Sequence, residues 1–265
     1  MTTSESYEVH ALRYSSREAT KSHEFHRFGF YKEPDAEIGM DYFFWLIRNN
    51  NRTVLLDCGF NKERSEPKGR FTNTEVEVLL NRMDVKPEDV DHLVISHMHY
   101  DHVGNTHLFP NATITMTRQE YDFWCGPEYE HELLRNLVDS REVEIVKSLR
   151  EQERLQVFDD SVELYPGITA SWIGGHTPGQ LTLEVTGASK QILLASDTIH
   201  YYDEMNLDRP FDLFTNLPEL FRAYAKLREI DARPDTVVVS GHDPRDSREY
   251  AAPLPEVFDL NAPLA

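Results

Sequence analysis

The segment His97-Met98-His99-Tyr100-Asp101-His102 places three imidazoles and one carboxylate within six residues, directly after the apolar run Leu93-Val94-Ile95-Ser96. Imidazole nitrogen and carboxylate oxygen ligate divalent metals. With no thiolate among them the set suits zinc, and manganese, cobalt or iron are the alternatives that geometry and supply decide between. In an extended chain side chains alternate, so His97 and His99 share a face and reach one ion. Asp101 and His102 are neighbours that strand geometry would point apart, so a turn is expected there, aiming both at a second ion. Two divalent metal ions are therefore expected rather than one.

Three further ligand types stand where strands are expected to end. His176 lies in Gly174-Gly175-His176-Thr177-Pro178-Gly179, where glycine lets the backbone crowd an ion. Asp197 follows Leu193-Leu194-Ala195-Ser196, and His242 follows Val237-Val238-Val239-Ser240. Singly, each reads equally well as a capping or hydrogen-bonded loop residue.

The elements that must hold these residues are read from periodicity. Strands are expected over Tyr7–Tyr14, Asp41–Arg48, Thr53–Asp57, Leu93–Ser96 and Ala112–Thr117, and in the second half over Val162–Leu164, Ile168–Ile173, Gln180–Val185, Ile192–Ser196 and Thr236–Ser240. Helices are expected over Thr74–Met83, Arg118–Trp124, Glu130–Val138 and Leu217–Ile230, the last with Pro218 in its first turn. The charged interval Ser140–Arg154 fits helix or loop. Residues 15–39 are polar yet carry Phe25, Phe28, Phe30 and Tyr31, a composition that fits a substrate-covering loop or a flap packed on the core.

With 265 residues and no linker-like tract between its halves, the chain reads as a single domain, 1–265, with a substantial core. Lys+Arg 27 against Asp+Glu 46 gives a formal charge of −19, a field that repels phosphate backbones and anionic membranes. No nucleic-acid or membrane partner is expected. The first residues carry no secretory signal, so the expected address is the cytoplasm. The run Tyr42–Ile47 is far below the roughly 20 apolar residues that span a bilayer. Cys58 and Cys125 give no reason to expect a disulfide, and Cys58 reads as a buried small hydrophobe.

Taken together, H-x-H-x-D-H, a lone His in a Gly-rich loop, then Asp, then His, with an earlier Asp in Leu55-Leu56-Asp57-Cys58-Gly59, resemble the metallo-β-lactamase superfamily from about residue 40 to 243. The resemblance implies an α/β protein, a four-layer αβ/βα sandwich of two mixed β-sheets flanked by helices, with the site at one edge. It assigns His97, His99 and His176 to the first metal, Asp101, His102 and His242 to the second, Asp197 to both, and Asp57 to a supporting role behind the ligands. It also implies hydrolysis: water shared by two such ions becomes hydroxide near neutral pH, with Asp101 or Asp197 as a weak acceptor for its proton.

Within the superfamily the chain looks most like N-acyl homoserine lactonases and related bacterial lactonases, through Gly-His-Thr-Pro-Gly-Gln around His176 and the aromatic Tyr100 between His99 and Asp101. Those lactonases carry a Tyr shortly after the bridging Asp. Here Asp197-Thr198-Ile199-His200-Tyr201-Tyr202 puts His200 in that place, so either His200 or Tyr201 assists the leaving group, or the substrate differs. Tyr100, Phe28 and Phe30 are candidates for lining the substrate pocket. The expected partner is a small-molecule lactone or ester, and the chain is a candidate homodimer. The alternatives are a thioesterase or other ester or amide hydrolase of the same superfamily and, outside enzymes, a metal-binding sensor. Only 23 residues follow His242, too few for the C-terminal helical domain of glyoxalase II-type thioesterases.

Overall fold

In the computed structural model, which describes residues 5–263, twelve strands form two sheets. The strands are β1 (Glu8–Arg17), β2 (Met40–Asn49), β3 (Arg52–Leu56), β4 (His92–Val94), β5 (Thr113–Thr117), β6 (Leu155–Phe158), β7 (Ser161–Tyr165), β8 (Ile168–Trp172), β9 (Leu181–Thr186), β10 (Gln191–Leu194), β11 (Thr236–Val239) and β12 (Val257–Asp259). The first sheet runs β12-β1-β2-β3-β4-β5-β6 and the second β11-β10-β9-β8-β7. Both are mixed: β3 to β6 pair in parallel and β12 to β3 antiparallel, while β10 and β11 form the parallel pair of the second sheet.

The layers follow from alternation within continuous apolar runs, the pattern of strands covered on both faces. In β2, Phe43, Trp45 and Ile47 face the core between the sheets, whereas Phe44 and Leu46 join the outer cluster with Leu79, Leu80, Val143 and Val146 of helices Val76–Arg82 and Ser140–Glu151. In β10, Ile192 and Leu194 face inward and Leu193 packs outward with Leu220, Tyr224 and Leu227 of helix Leu217–Asp231. Helix, sheet, sheet, helix is the four-layer sandwich that the resemblance implied.

Several elements differ from the sequence expectation. The ambiguous interval is a helix, Ser140–Glu151, started by the Asp139 side chain accepting from Arg141 N. The helix expected over Glu130–Val138 shrinks to a 3-10 turn, Pro127–Glu130, and one helical turn, Glu132–Arg135. Strands β6 and β12 and helices Tyr202–Leu207 and Pro244–Glu249 were not expected. Residues 15–39 are ordered by pairing: β1 extends to Arg17, Lys21 N donates to Ala36 O and Ile38 N to Ala19 O, and bonds from His26 N to Pro210 O and from Asp212 N to Glu24 O tie the segment to the chain beyond Asp208. Among the described residues no helix is long and apolar enough to cross a membrane.

One core position carries a cost. Glu142, on the inward face of its helix, is buried with Oε2 unpartnered among the described residues. Burial, reinforced by the Asp139 charge, pushes its carboxyl up to about 8. The folded protein therefore keeps this proton where the unfolded chain, with a pKa near the ordinary 4.5, releases it. The contribution to stability is complete below about pH 4.5 and is lost as pH rises through about 8. Glu142→Gln is expected to gain on the wild type with rising pH, by on the order of 3 kcal/mol between pH 5 and 8.5. Parallel thermal-unfolding curves for the two proteins across that range would contradict this.

Candidate metal centre

Every ligand-type residue singled out in the sequence comes from beyond the carboxyl end of a strand. β4 stops at Val94, so His97 and His99 lie in the irregular segment after it rather than on one face of a strand, and strand alternation is not what aligns them. The turn expected at Asp101 and His102 is one helical turn, Tyr100–Val103. His176 sits in the loop from β8 to β9, Asp197 in the 3-10 turn Ser196–Thr198 after β10, and His242 just after β11. The loop glycines are required: Gly174 and Gly175 have φ of +70° and +93°, and a Cβ on Gly241 would lie 2.6 Å from Asp197 Oδ1.

These side chains meet around one carboxylate. Asp197 Oδ2 is 3.7 Å from His97 Nε2 and 3.6 Å from His176 Nε2, and Oδ1 is 3.3 Å from His102 Nε2 and 3.1 Å from His242 Nε2. His99 Nδ1 is 3.0 Å from both His97 Nε2 and His176 Nε2. Asp101 Oδ2 stands 3.9 Å from His102 Nε2 and from His242 Nε2. Three groups of donors have ligating atoms within 4.8 Å of one another, His97, His99, His176 with Asp197, then Asp101, His102, His242, and an overlapping group of Asp197, His200 and His242; the first two use every residue singled out as a ligand in the sequence.

Outer contacts fix which nitrogen faces inward. Nδ1 of His176 donates to Leu213 O at 2.9 Å, Nδ1 of His242 to Asp41 O at 2.7 Å, and Nδ1 of His102 to Asp57 Oδ2 at 2.8 Å. A donor at Nδ1 leaves Nε2 of a neutral ring with a lone pair, which is the form a metal takes. Asp57 also accepts from Ser96 N and Ser96 Oγ, both at 2.7 Å, locking the entry to the ligand segment.

This donor set fits two cations and little else. His102 Nε2 and Asp197 Oδ1 are buried without a hydrogen-bond partner, and oxygen and nitrogen lone pairs facing each other away from water are costly unless a positive charge lies between them. Burial, with repulsion from the neighbouring rings, lowers His97 and His176 well below the usual imidazole range, and burial brings His99 to about 4, so all three stay neutral. Burial opposes charge on Asp197, but His102, His242 and His200 outweigh it and hold its pKa well below the carboxylate range. Burial likewise opposes charge on His102, yet Asp197, Asp57 and Asp101 outweigh it and push its pKa up, the same field that draws a cation.

A cavity of about 150 Å³ opens on these donors, with Met40, Tyr42, Tyr100, Phe211 and His200 among its walls. His200 is buried, with Nε2 3.0 Å from Asp197 Oδ2, and stacks on Phe211 at 3.7 Å. Tyr201 turns away: its hydroxyl donates to Gly39 O at 2.9 Å and its ring packs edge-on against Phe25. Phe28 and Phe30 are not brought to this cavity either, since they flank a separate surface hollow and Phe30 is 80% exposed. Cys58 is fully buried, and burial raises its thiol far above the usual range, as suits an inert core residue.

Sequence reasoning missed Glu120. Its Oε1 accepts from Met98 N at 2.7 Å and Trp124 Nε1 at 2.6 Å, and Oε2 from Thr177 Oγ1 at 2.7 Å and Gly179 N at 2.9 Å. One buried carboxylate thus bolts the His97–His99 segment to the His176 loop. The sequence signal was present but pointed elsewhere, because Thr117-x-x-Glu120 at a helix start reads as a capping box.

Two clusters of buried imidazole and carboxylate sharing one aspartate, at the sheet edge of an αβ/βα sandwich, define a dinuclear divalent-metal site. The family comparison agrees: residues 41–242 match the metallo-beta-lactamase superfamily. The chain belongs to that superfamily, and it is a metal-dependent hydrolase. Among curated proteins it is 24% identical over 225 residues to an N-acyl homoserine lactonase of Bacillus cereus, covering 79% of this chain and 84% of that one. It is 31% identical over 163 residues to the N-acyl homoserine lactonase AttM of Rhizobium radiobacter, covering 60% of each. The fold matches a solved quorum-quenching N-acyl homoserine lactone lactonase with a TM-score of 0.74 at 17% identity, over 97% of this chain and 100% of that one. It also matches the dizinc quorum-quenching lactonase AidC with a TM-score of 0.69 at 19% identity, over 99% and 94%.

Because Asp57 orients His102 from behind, Asp57→Asn is expected to weaken metal retention by about 10- to 100-fold. Competition against a chelator, with metal counted by elemental analysis, measures it, and an unchanged competition midpoint would remove Asp57 from that role.

Proposed function

We propose that this protein opens a lactone ring, that of an N-acyl homoserine lactone or a related lactone, at a pair of divalent metal ions, with zinc as the native metal. The observation that carries the reading is the convergence of His97, His99 and His176 on one oxygen side of Asp197, and of Asp101, His102 and His242 on the other. The imidazole-rich set without thiolate favours zinc, and the related lactonases supply the substrate class.

When bound, such ions polarise the carbonyl under attack and acidify water. The chain's own residues do the rest. Asp197, with an oxygen toward each histidine set, fixes the spacing between the two halves of the site. Asp57, Leu213 O and Asp41 O hold three imidazoles in the ligating tautomer. Asp101, already committed as a donor, is at most a weak proton acceptor. As water adds to the acyl carbon and the ring C–O bond breaks, the departing ring oxygen needs a proton, which His200 supplies from the cavity wall. Supporting this are its burial beside Asp197 and Phe211 and the engagement of the Tyr201 hydroxyl with Gly39 O. Residues 15–39 are proposed to cover the substrate rather than to contact the metals.

The test is the zinc-loaded protein against acyl homoserine lactones, simple γ- and δ-lactones, thioesters and a β-lactam, with ring opening followed by proton release. Turnover of lactones above the others is expected. Turnover confined to thioesters would replace the reading with a thioesterase of the same superfamily. His200→Ala is expected to lower kcat by about 100-fold with metal content unchanged, while Tyr201→Phe stays within about twofold, since it loses one hydrogen bond away from the cavity. Equal kcat values for wild type and His200→Ala would return the leaving-group role to another residue.

A further inference from the structure

Two guanidinium groups line the metal cavity, and only one of them is spoken for. Arg17 is saturated: its terminal nitrogens pair with both oxygens of Glu24 at 2.8 Å, and Nε donates to the Tyr42 hydroxyl at 3.0 Å. Arg70 is different. Among the described residues it has no carboxylate partner, and its Nε is buried without a hydrogen-bond acceptor. Tyr100 and Tyr42, both also cavity walls, feel its charge. In a chain of formal charge −19, a partly buried arginine left without an acid is unusual, because acidic partners are abundant.

The charge balance of the cavity points the same way. Its acidic lining groups are Asp101 and Asp197, both donors to the metal pair. Two divalent ions exceed the charge of two carboxylates, and Arg17 is cancelled by Glu24, so Arg70 adds to a positive interior. The cavity is also small, about 150 Å³ against the roughly 300–1,000 Å³ of pockets that enclose drug-sized ligands. A lactone ring with a short substituent fills such a space, and a guanidinium matches a carboxylate in a two-pronged geometry that neutral groups cannot satisfy.

We propose that Arg70 forms an anion subsite and that the preferred substrates are compact lactones bearing a carboxylate, positioned with the ring on the metal donors and the carboxylate on Arg70. This rests on the lactonase reading and narrows its substrate class. Opening the ring then converts a monoanion to a dianion: water adds to the acyl carbon, the ring C–O bond breaks, the ring oxygen leaves as a hydroxyl, and the new carboxylic acid releases one proton.

The experiment compares the zinc-loaded protein on γ-butyrolactone carrying a carboxylate on the carbon next to the ring oxygen and on the matching carboxamide. The wild type is expected to favour the carboxylate by about tenfold or more in kcat/KM, and Arg70→Met to bring the ratio within about threefold of one, with Arg70→Lys between them. Calorimetric binding of tetrahydrofuran-2-carboxylate, which cannot be hydrolysed, to wild type and Arg70→Met gives a readout apart from turnover, with about tenfold weaker binding expected in the variant. A wild-type ratio near one, or a preference that survives in Arg70→Met, overturns the subsite while leaving the lactonase reading in place. If no lactone of either charge is opened, the lactonase reading falls. The calorimetry then still decides whether Arg70 binds a carboxylate.

Discussion

The arrangement around Asp197 is a set of lone pairs aimed at one another where water does not reach. Three imidazoles have their Nδ1 protons committed to outside acceptors, so their Nε2 atoms present electron density to a carboxylate 3.1 to 3.6 Å away. Without a cation only a proton on one of the rings relieves this, and the surrounding carboxylates favour that proton on His102. The fold keeps the groups from turning away by placing each residue in a short segment pinned at both ends, and a cation is what makes the arrangement favourable. The sandwich is therefore best understood as a frame that keeps a repulsive cluster from relaxing before the metal arrives.

The frame acts through particular bonds. Asp57 holds His102 and, through Ser96, the start of the ligand segment, and the Ser196 hydroxyl bonds to Ser96 at 2.9 Å, joining the two sheets directly beneath the site. Glu120 bolts the middle of that segment to the His176 loop from the opposite side. Its four partners all donate, which suits an ionised carboxylate, while burial pushes its pKa up to about 7. Gly179 makes the close approach possible, since a Cβ there would lie 2.1 Å from Glu120 N. Removing the Glu120 contacts frees a ligand loop, whereas removing Asp57 also frees the His102 ring itself.

How much of this was legible in the sequence depended on whether the determinant was local. The ligand types were, because all seven donors follow strand-like apolar runs and four of them lie within His97–His102, so residue chemistry and spacing alone suggested two sites. The helix Leu217–Asp231 was legible for a similar reason: one apolar stripe and Pro218 state its start and its buried face. What was not legible was set by distant partners. Strand β12 is three residues long and exists because His10, Ala11 and Leu12 of β1 offer an open edge to it. Tyr201 and His200 are adjacent, and only the packing of Phe25 and Gly39 against one and of Phe211 and Asp197 against the other decides which enters the cavity. Phe28 and Phe30 looked like pocket aromatics because aromatic content does not reveal direction.

The backbone at the site differs in how tightly its segments are held. Asp57 and Ser196 both adopt positive φ, 62° and 45°, a conformation that side chains beyond glycine rarely take and that costs on the order of 1–3 kcal/mol each. Both follow a strand and face each other across the sheets, bonded through Ser96. The strain is overdetermined: Asp57 N donates to Val94 O at 2.8 Å while its side chain accepts four bonds, so no single change relaxes it. Arg70, in contrast, stands on an irregular segment between β3 and the helix Val76–Arg82, where the sheets impose little. The metal-ligand residues thus stand just beyond strand ends, pinned by buried bonds, whereas the proposed anion subsite lies on a looser connecting segment. A single frame can in this way keep one reaction and vary the substituent it accepts.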